Sequence, residues 1–153
     1  QKNIHAYVFG EHGDTSFIPW SGAYVSGVSL DEYYETVEKM GRNVTKIDKD
    51  AMLEYVRTSG GQVIAIKGAT FYAVSVAVCK LVATILSSSD SVATVSSMMH
   101  GEYGIEDVCL STLTLVGPKG VQGKIPMRMT KEEVEKLKAS ADALKAVIAQ
   151  IEH

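Results

Sequence analysis

Cysteine is scarce: the 153 residues hold two, Cys79 and Cys109, in separate apolar segments. With no C-x-x-C and no neighbouring His pair, the sequence suggests neither a zinc site nor a disulfide framework, and reduced thiols in a cytoplasmic protein fit best. Charge of one sign is not concentrated anywhere. Fifteen Lys and Arg stand against eighteen Asp and Glu for a net charge of −3, so the electrostatic footprint of a nucleic-acid binder is missing. The most apolar stretch, Tyr72 to Leu86, is interrupted by Lys80 and is too short to span a bilayer, and residues 1–15 lack a signal-peptide pattern. Neither membrane insertion nor export is expected. No internal repeat occurs. A glycine fingerprint of the G-x-G-x-x-G kind is also lacking, because Gly117, Gly120 and Gly123 have the wrong spacing and lie between strands.

What is present is ordinary for one soluble globular domain over residues 1–153: 46% hydrophobic residues, 22% charged and a mean hydropathy of +0.06. A domain of this length buries about 70% of the surface its unfolded chain exposes, enough for a core without staples. The chain opens on Gln1 and moves almost at once into a strand-like run, which predicts a piece of a longer protein. In residues 3–9, Ile4, Ala6 and Val8 alternate with His5, Tyr7 and Phe9, as in a strand. The run leads into Gly10-Glu11-His12-Gly13-Asp14. Two glycines around a histidine permit positive φ and suit the placing of a side chain at a cleft.

Ser29 and Glu32 have capping-box spacing and predict a short helix. Thr45 to Lys67 predicts a longer one, with Gly60-Gly61 expected to bend or loosen it. Residues 71–87 are apolar nearly all round, the pattern of a buried helix, with Thr70 at its start. Val92 to Met99, Val108 to Val116 and Gly123 to Met129 predict antiparallel strands. Thr130 and Glu133 form a second capping box, opening a helix whose Val134, Leu137, Ala141, Leu144, Ile148 and Ile151 fall on one stripe. Strands gathered between long helices predict an α+β domain with an antiparallel sheet.

Among candidate chemical groups, His12 is the most informative, since an unperturbed imidazole can both give and take a proton near neutral pH. On the residues alone, a proton donor and a loop histidine bonded to backbone are equally supported. His100, Glu102, Glu106 and Asp107 lack the spacing of paired metal ligands and read as solvated loop charges. The charges from Lys131 to Lys138 read as a solvated helix face.

Gly10-Glu11-His12-Gly13-Asp14, preceded by His5-Ala6-Tyr7-Val8 and followed by Trp20-Ser21, resembles the catalytic-histidine segment of the lactate and malate dehydrogenase family. Ile66-Lys67-Gly68-Ala69-Thr70-Phe71-Tyr72-Ala73 is similar to that family's substrate-threonine segment, and Tyr103-Gly104-Ile105-Glu106-Asp107-Val108-Cys109-Leu110-Ser111 to its later strand-turn-strand region. The last hairpin and C-terminal helix follow in the family's order.

The resemblance implies the substrate-binding half of a bacterial-type, NAD-dependent L-lactate dehydrogenase, without the Rossmann half that holds most of the NAD. It implies that His12 protonates the carbonyl oxygen of a 2-oxo acid, that Thr70 contacts substrate, and that Val74 presents an aliphatic side chain to the nicotinamide one turn later on the same helical face. His5 matches a histidine that contacts fructose 1,6-bisphosphate at a subunit interface. The family's orienting aspartate and its two substrate arginines belong to the other half; Arg42, Arg57 and Arg128 match none of them, and Asp14 is expected only to support the loop. A cytoplasmic homo-oligomer, tetrameric in the whole enzyme, is implied, with the isolated half catalytically incomplete. Malate, or another 2-hydroxy acid, is the alternative substrate. A non-enzymatic assembly module is the alternative for the isolated chain.

Overall fold

A computed structural model describes residues 3–151. Its elements, in chain order, are β1 (Ile4–His5), β2 (Tyr24–Val25), β3 (Val28–Ser29), α1 (Leu30–Lys39), α2 (Lys49–Lys67), α3 (Tyr72–Leu86), β4 (Ser91–His100), β5 (Glu106–Gly117), β6 (Gly120–Lys124) and α4 (Lys131–Ile148). Two antiparallel three-stranded sheets, β1-β2-β3 and β4-β5-β6, stand with four helices. The α+β expectation holds.

The larger sheet carries the core. Along β5, alternate residues Val108, Leu110, Thr112, Thr114 and Val116 are buried, the two-residue period of a strand with one covered face. Phe9, Phe17, Met99, Leu110, Leu137 and Ala141 belong to one apolar cluster, which joins the chain's beginning to β4, β5 and α4. Leu137 is completely inaccessible. On the α4 stripe, Leu137 and Ala141 are buried and Val134 and Leu144 half-buried, whereas Ile148 and Ile151 reach solvent beyond the edge of the cluster. A smaller cluster of Ala23, Leu30 and Tyr34 seats α1 on β2 and β3.

Both capping boxes form. Ser29 and Thr130 accept from the amides of Glu32 and Glu133, and the two glutamates reach back to the cap amides. Glu133 does more: its carboxylate also accepts from the Ser21 amide at 3.0 Å and the Ser21 hydroxyl at 2.6 Å, so the cap of α4 is locked to the turn at Trp20–Gly22. Burial pushes this carboxyl upward, but the hydrogen bonds from Ser21 and Thr130 together outweigh it and hold it below its ordinary value.

Several expectations need correction. The strand expected over residues 3–9 contracts to Ile4–His5. Its Ile4, Ala6 and Val8 face lies exposed, and Phe9 turns inward to meet Phe17 edge-on at 6.4 Å. Helix α2 starts at Lys49, where Asp48 caps the amides of Asp50 and Ala51, and it runs through Gly60-Gly61 as one element. Helix α3, expected to be buried, has no buried side chain: an apolar surface is covered only where a neighbour covers it. Thr70 is not its cap; Phe71 takes that position without a capping side chain. The final strand is Gly120–Lys124 and not Gly123–Met129. A two-residue turn at Pro118-Lys119, with Gly120 at φ +79°, returns the chain early, and Pro126 has no N–H with which to extend the ladder.

A carboxyl held low in the folded state stabilises the protein above its unfolded pKa, and that contribution is lost as the pH falls through the folded one. Glu133→Gln is expected to cost about 1–3 kcal/mol at neutral pH, with the deficit shrinking below the ordinary carboxylate range. Urea unfolding of both proteins across a pH series measures this; a deficit independent of pH would contradict it.

Candidate functional site

His12 stands at the tip of a loop clamped at its base. The Phe9 and Phe17 backbones exchange hydrogen bonds of 2.8 and 3.0 Å, and Gly10 pairs in the same way with Ser111 of β5 at 3.1 and 2.9 Å. A tight turn from Ser16 N–H to the Gly13 carbonyl reverses the chain between them. The loop is thereby attached to the rigid central strand, while its tip, including the His12 side chain, stays exposed.

Helix α4 supplies the second attachment. The Glu11 amide donates to Ser140 Oγ at 2.8 Å, the Thr15 hydroxyl lies 3.1 Å from that oxygen, and Thr15 donates to Glu11 Oε1 through both its hydroxyl (2.8 Å) and its amide (3.0 Å). Ser140 is fully buried, so this is the only hydroxyl on that stretch of α4 placed to receive the loop. Gly10 permits the approach: its φ is +102°, and a Cβ there would meet Ser140 Oγ at 2.7 Å. Loop support expected of Asp14 falls to Glu11.

The loop forms one wall of a cavity of about 410 Å³, lined by Gly10 to Asp14, by Thr94 and Ser111 of the sheet, and by Val56 and Arg57 of α2. Its lining mixes apolar groups with hydroxyls, the carboxylates of Glu11 and Asp14, and the imidazole of His12, and it has room for a small organic molecule. An exposed imidazole at its mouth can hand a proton to a bound oxygen and, once charged, stabilise negative charge developing there.

The remaining expected residues lie elsewhere. Thr70 is exposed in the loop between α2 and α3, after Gly68 ends α2 in the left-handed conformation. Val74 is 53% exposed on α3. Because α3 begins only at Tyr72, Thr70 and Val74 do not share a helical face, contrary to expectation. Neither lines the His12 cavity. His5 is exposed on β1 opposite Tyr24. Cys79 and Cys109 are both free and exposed. Near the β4–β5 turn, Glu102 accepts from the His100 amide at 2.7 Å, and this bond lowers its carboxyl's pKa. The helix-face charges on α4 form exposed pairs, Lys136 with Glu132 at 2.8 Å and Lys138 with Glu135 at 3.1 Å. No helix among the described residues is long and apolar enough to cross a membrane.

Ser140 and Arg57 escape any reading of the sequence. One is a small residue within an amphipathic helix and the other an arginine on an exposed one; each meets the His12 loop only through the tertiary fold.

An antiparallel sheet backed by a C-terminal helix, with a glycine-flanked histidine at a cavity on its edge, defines the class. The chain belongs to the lactate/malate dehydrogenase family, as its α/β C-terminal domain, whose family model matches residues 1–153. It is 36% identical over 151 residues to an L-lactate dehydrogenase of Acetivibrio thermocellus, covering 99% of this chain and 47% of that protein. Among solved structures, an L-lactate dehydrogenase from Clostridium thermocellum superposes with a TM-score of 0.84 at 35% identity, over 99% of this chain and 48% of that one. A malate dehydrogenase from Archaeoglobus fulgidus in complex with NADH does so with a TM-score of 0.81 at 28% identity, over 99% and 45%. The chain thus spans about half the length of the relatives it matches.

Ser140→Ala removes the acceptor of a part-buried amide and is expected to cost about 1–3 kcal/mol. Gly10→Ala, which adds both a clash and a strained φ, should cost more, about 2–4 kcal/mol. Thermal or urea unfolding tests the order, and Gly10→Ala matching the parent chain would refute the close approach.

Proposed function

We propose that this chain is a single domain, residues 1–153, and the catalytic half of an NAD-dependent L-lactate dehydrogenase that interconverts pyruvate and L-lactate. The observation that carries the reading is His12, presented on a doubly anchored loop at a cavity of about 410 Å³. In its protonated form His12 donates to the carbonyl oxygen of the 2-oxo acid; in its neutral form it accepts the hydroxyl proton of the 2-hydroxy acid. Its protonation state therefore selects direction. Thr70, exposed before α3 and outside the His12 cavity, is assigned a substrate contact on the family resemblance.

The chemistry that NAD supplies when bound is hydride exchange with the substrate's C2 carbon. Val74, an exposed aliphatic side chain on α3, is assigned contact with the nicotinamide end of the cofactor on the family resemblance. A phosphate-cradling glycine loop is not among these 153 residues, which assigns the rest of the dinucleotide to a Rossmann half outside them. A related malate dehydrogenase in complex with NADH supports the choice of cofactor.

The exposed apolar surface of α3, with Val74, Val78 and Val82 on one side and Val76 on another, all about half exposed or more, suits burial against the nucleotide-binding half and sister subunits in a homo-oligomer, a tetramer in the whole enzyme. His5 is assigned to a fructose 1,6-bisphosphate site completed by an arginine outside this chain. The balanced composition and the two free cysteines support a cytoplasmic location.

NADH oxidation with pyruvate is expected to be absent for the chain alone, to appear on mixing with a separately expressed nucleotide-binding half, and to fall about 10²–10⁴-fold with His12→Asn. Turnover by the chain alone, or an unaffected His12 variant, would overturn the reading. A strong preference for oxaloacetate would move the assignment to malate.

A further inference from the structure

We infer that Arg57 is a positioning residue for the proton donor: it holds the return limb of the His12 loop through the carbonyl of Ser16, an inference that rests on the proton-transfer reading of His12. Two guanidinium N–H groups converge on that single oxygen, Nε from 3.1 Å and Nη2 from closer still. Ser16 is buried, at 8% exposure. Its amide is committed to Gly13, while the backbone groups of the next residue, Phe17, are committed to Phe9. The Ser16 carbonyl is therefore the backbone acceptor at the stem of the loop that a side chain satisfies, and a charged donor fork satisfies it with the strongest kind of neutral-acceptor bond.

The same bond locates α2. This helix has no buried side chain, and its ion pair with α1, Lys49 with Asp31 at 3.8 Å, is exposed. Arg57 and Val56 hold the middle of α2 against the cavity, and the helix runs from there to Lys67, three residues before Thr70. One guanidinium thus sets the relation between the histidine loop and the helix leading to the threonine. Arg57 touches neither substrate nor cofactor in this account; it acts through Ser16.

Hydrogen exchange on the intact 153-residue chain tests the inference with Arg57→Met, which keeps the aliphatic stem without donors, and Arg57→Lys, which keeps a charged donor. The amides of Glu11, Thr15 and Ser16, each hydrogen-bonded within the loop or to Ser140, are expected to exchange at least tenfold faster in Arg57→Met. Arg57→Lys should recover a threefold part of that loss, and β5 and α4 should keep their protection in both. After mixing with a nucleotide-binding half, Arg57→Met should lower kcat for pyruvate about tenfold while KM changes less than twofold, the split expected when the proton donor is misplaced and binding is intact. Unchanged loop exchange, Lys and Met variants that exchange alike, or faster exchange spread equally through β5 and α4 would overturn the inference. The anticipated exchange pattern with no turnover in the unsubstituted mixture would uphold the clamp and overturn the dehydrogenase reading instead.

Discussion

The hydrogen bond from the Glu11 amide to the buried hydroxyl of Ser140 is the constraint on which the site depends. It joins the two ends of the chain, because Ser140 lies on the last helix and Glu11 on the first loop. It also demands glycine at position 10, where any side chain would displace Ser140. Without it, the outgoing limb of the histidine loop would keep its Gly10–Ser111 pairing to β5 but lose its amide bond to α4. A proton donor must be held within a fraction of an ångström to act efficiently, and a loop fastened to both a central strand and the helix covering it meets that need.

The core gives this fastening its stiffness. Phe9 and Phe17 close the base of the loop and are themselves members of the apolar cluster with Leu110 and Leu137, so the residues that shape the site also stabilise the fold. Opening the loop base would expose two phenylalanines, each worth roughly 1.5–3 kcal/mol of burial. The tip faces no such penalty and stays exposed to solvent. Two turns earlier on the same face of α4, Glu133 performs a comparable task for the smaller sheet through Ser21. One helix therefore braces the histidine loop and the α1 region together.

The cavity wall contributed by α2 is of a different kind. It has no buried side chain and meets the histidine loop through a polar bond at Arg57. Such an attachment is directional and can be released without unpacking a core.

Much of this was legible in the residues. The two capping boxes, the antiparallel strands of residues 91–117 and the amphipathic last helix follow from local periodicity and capping, which depend on near neighbours in the chain. The glycines around His12 marked the loop, and the order of three motifs marked the family. The sequence misled where the outcome depended on distant partners. Helix α3 is apolar enough to be buried, yet burial is decided by what lies against it. Residues 6–8 alternate like a strand, yet a strand needs a neighbour to pair with. Ser140 and Arg57 carry no local sign of their roles, since a serine on a helix and an arginine on a solvent-facing one are common; only the folding of α4 and α2 against one loop brought them to His12. The sequence by itself determined which groups could do chemistry and which segments would coil or extend, because those properties are local. The tertiary structure alone decided which of them meet, because that depends on how distant surfaces pack.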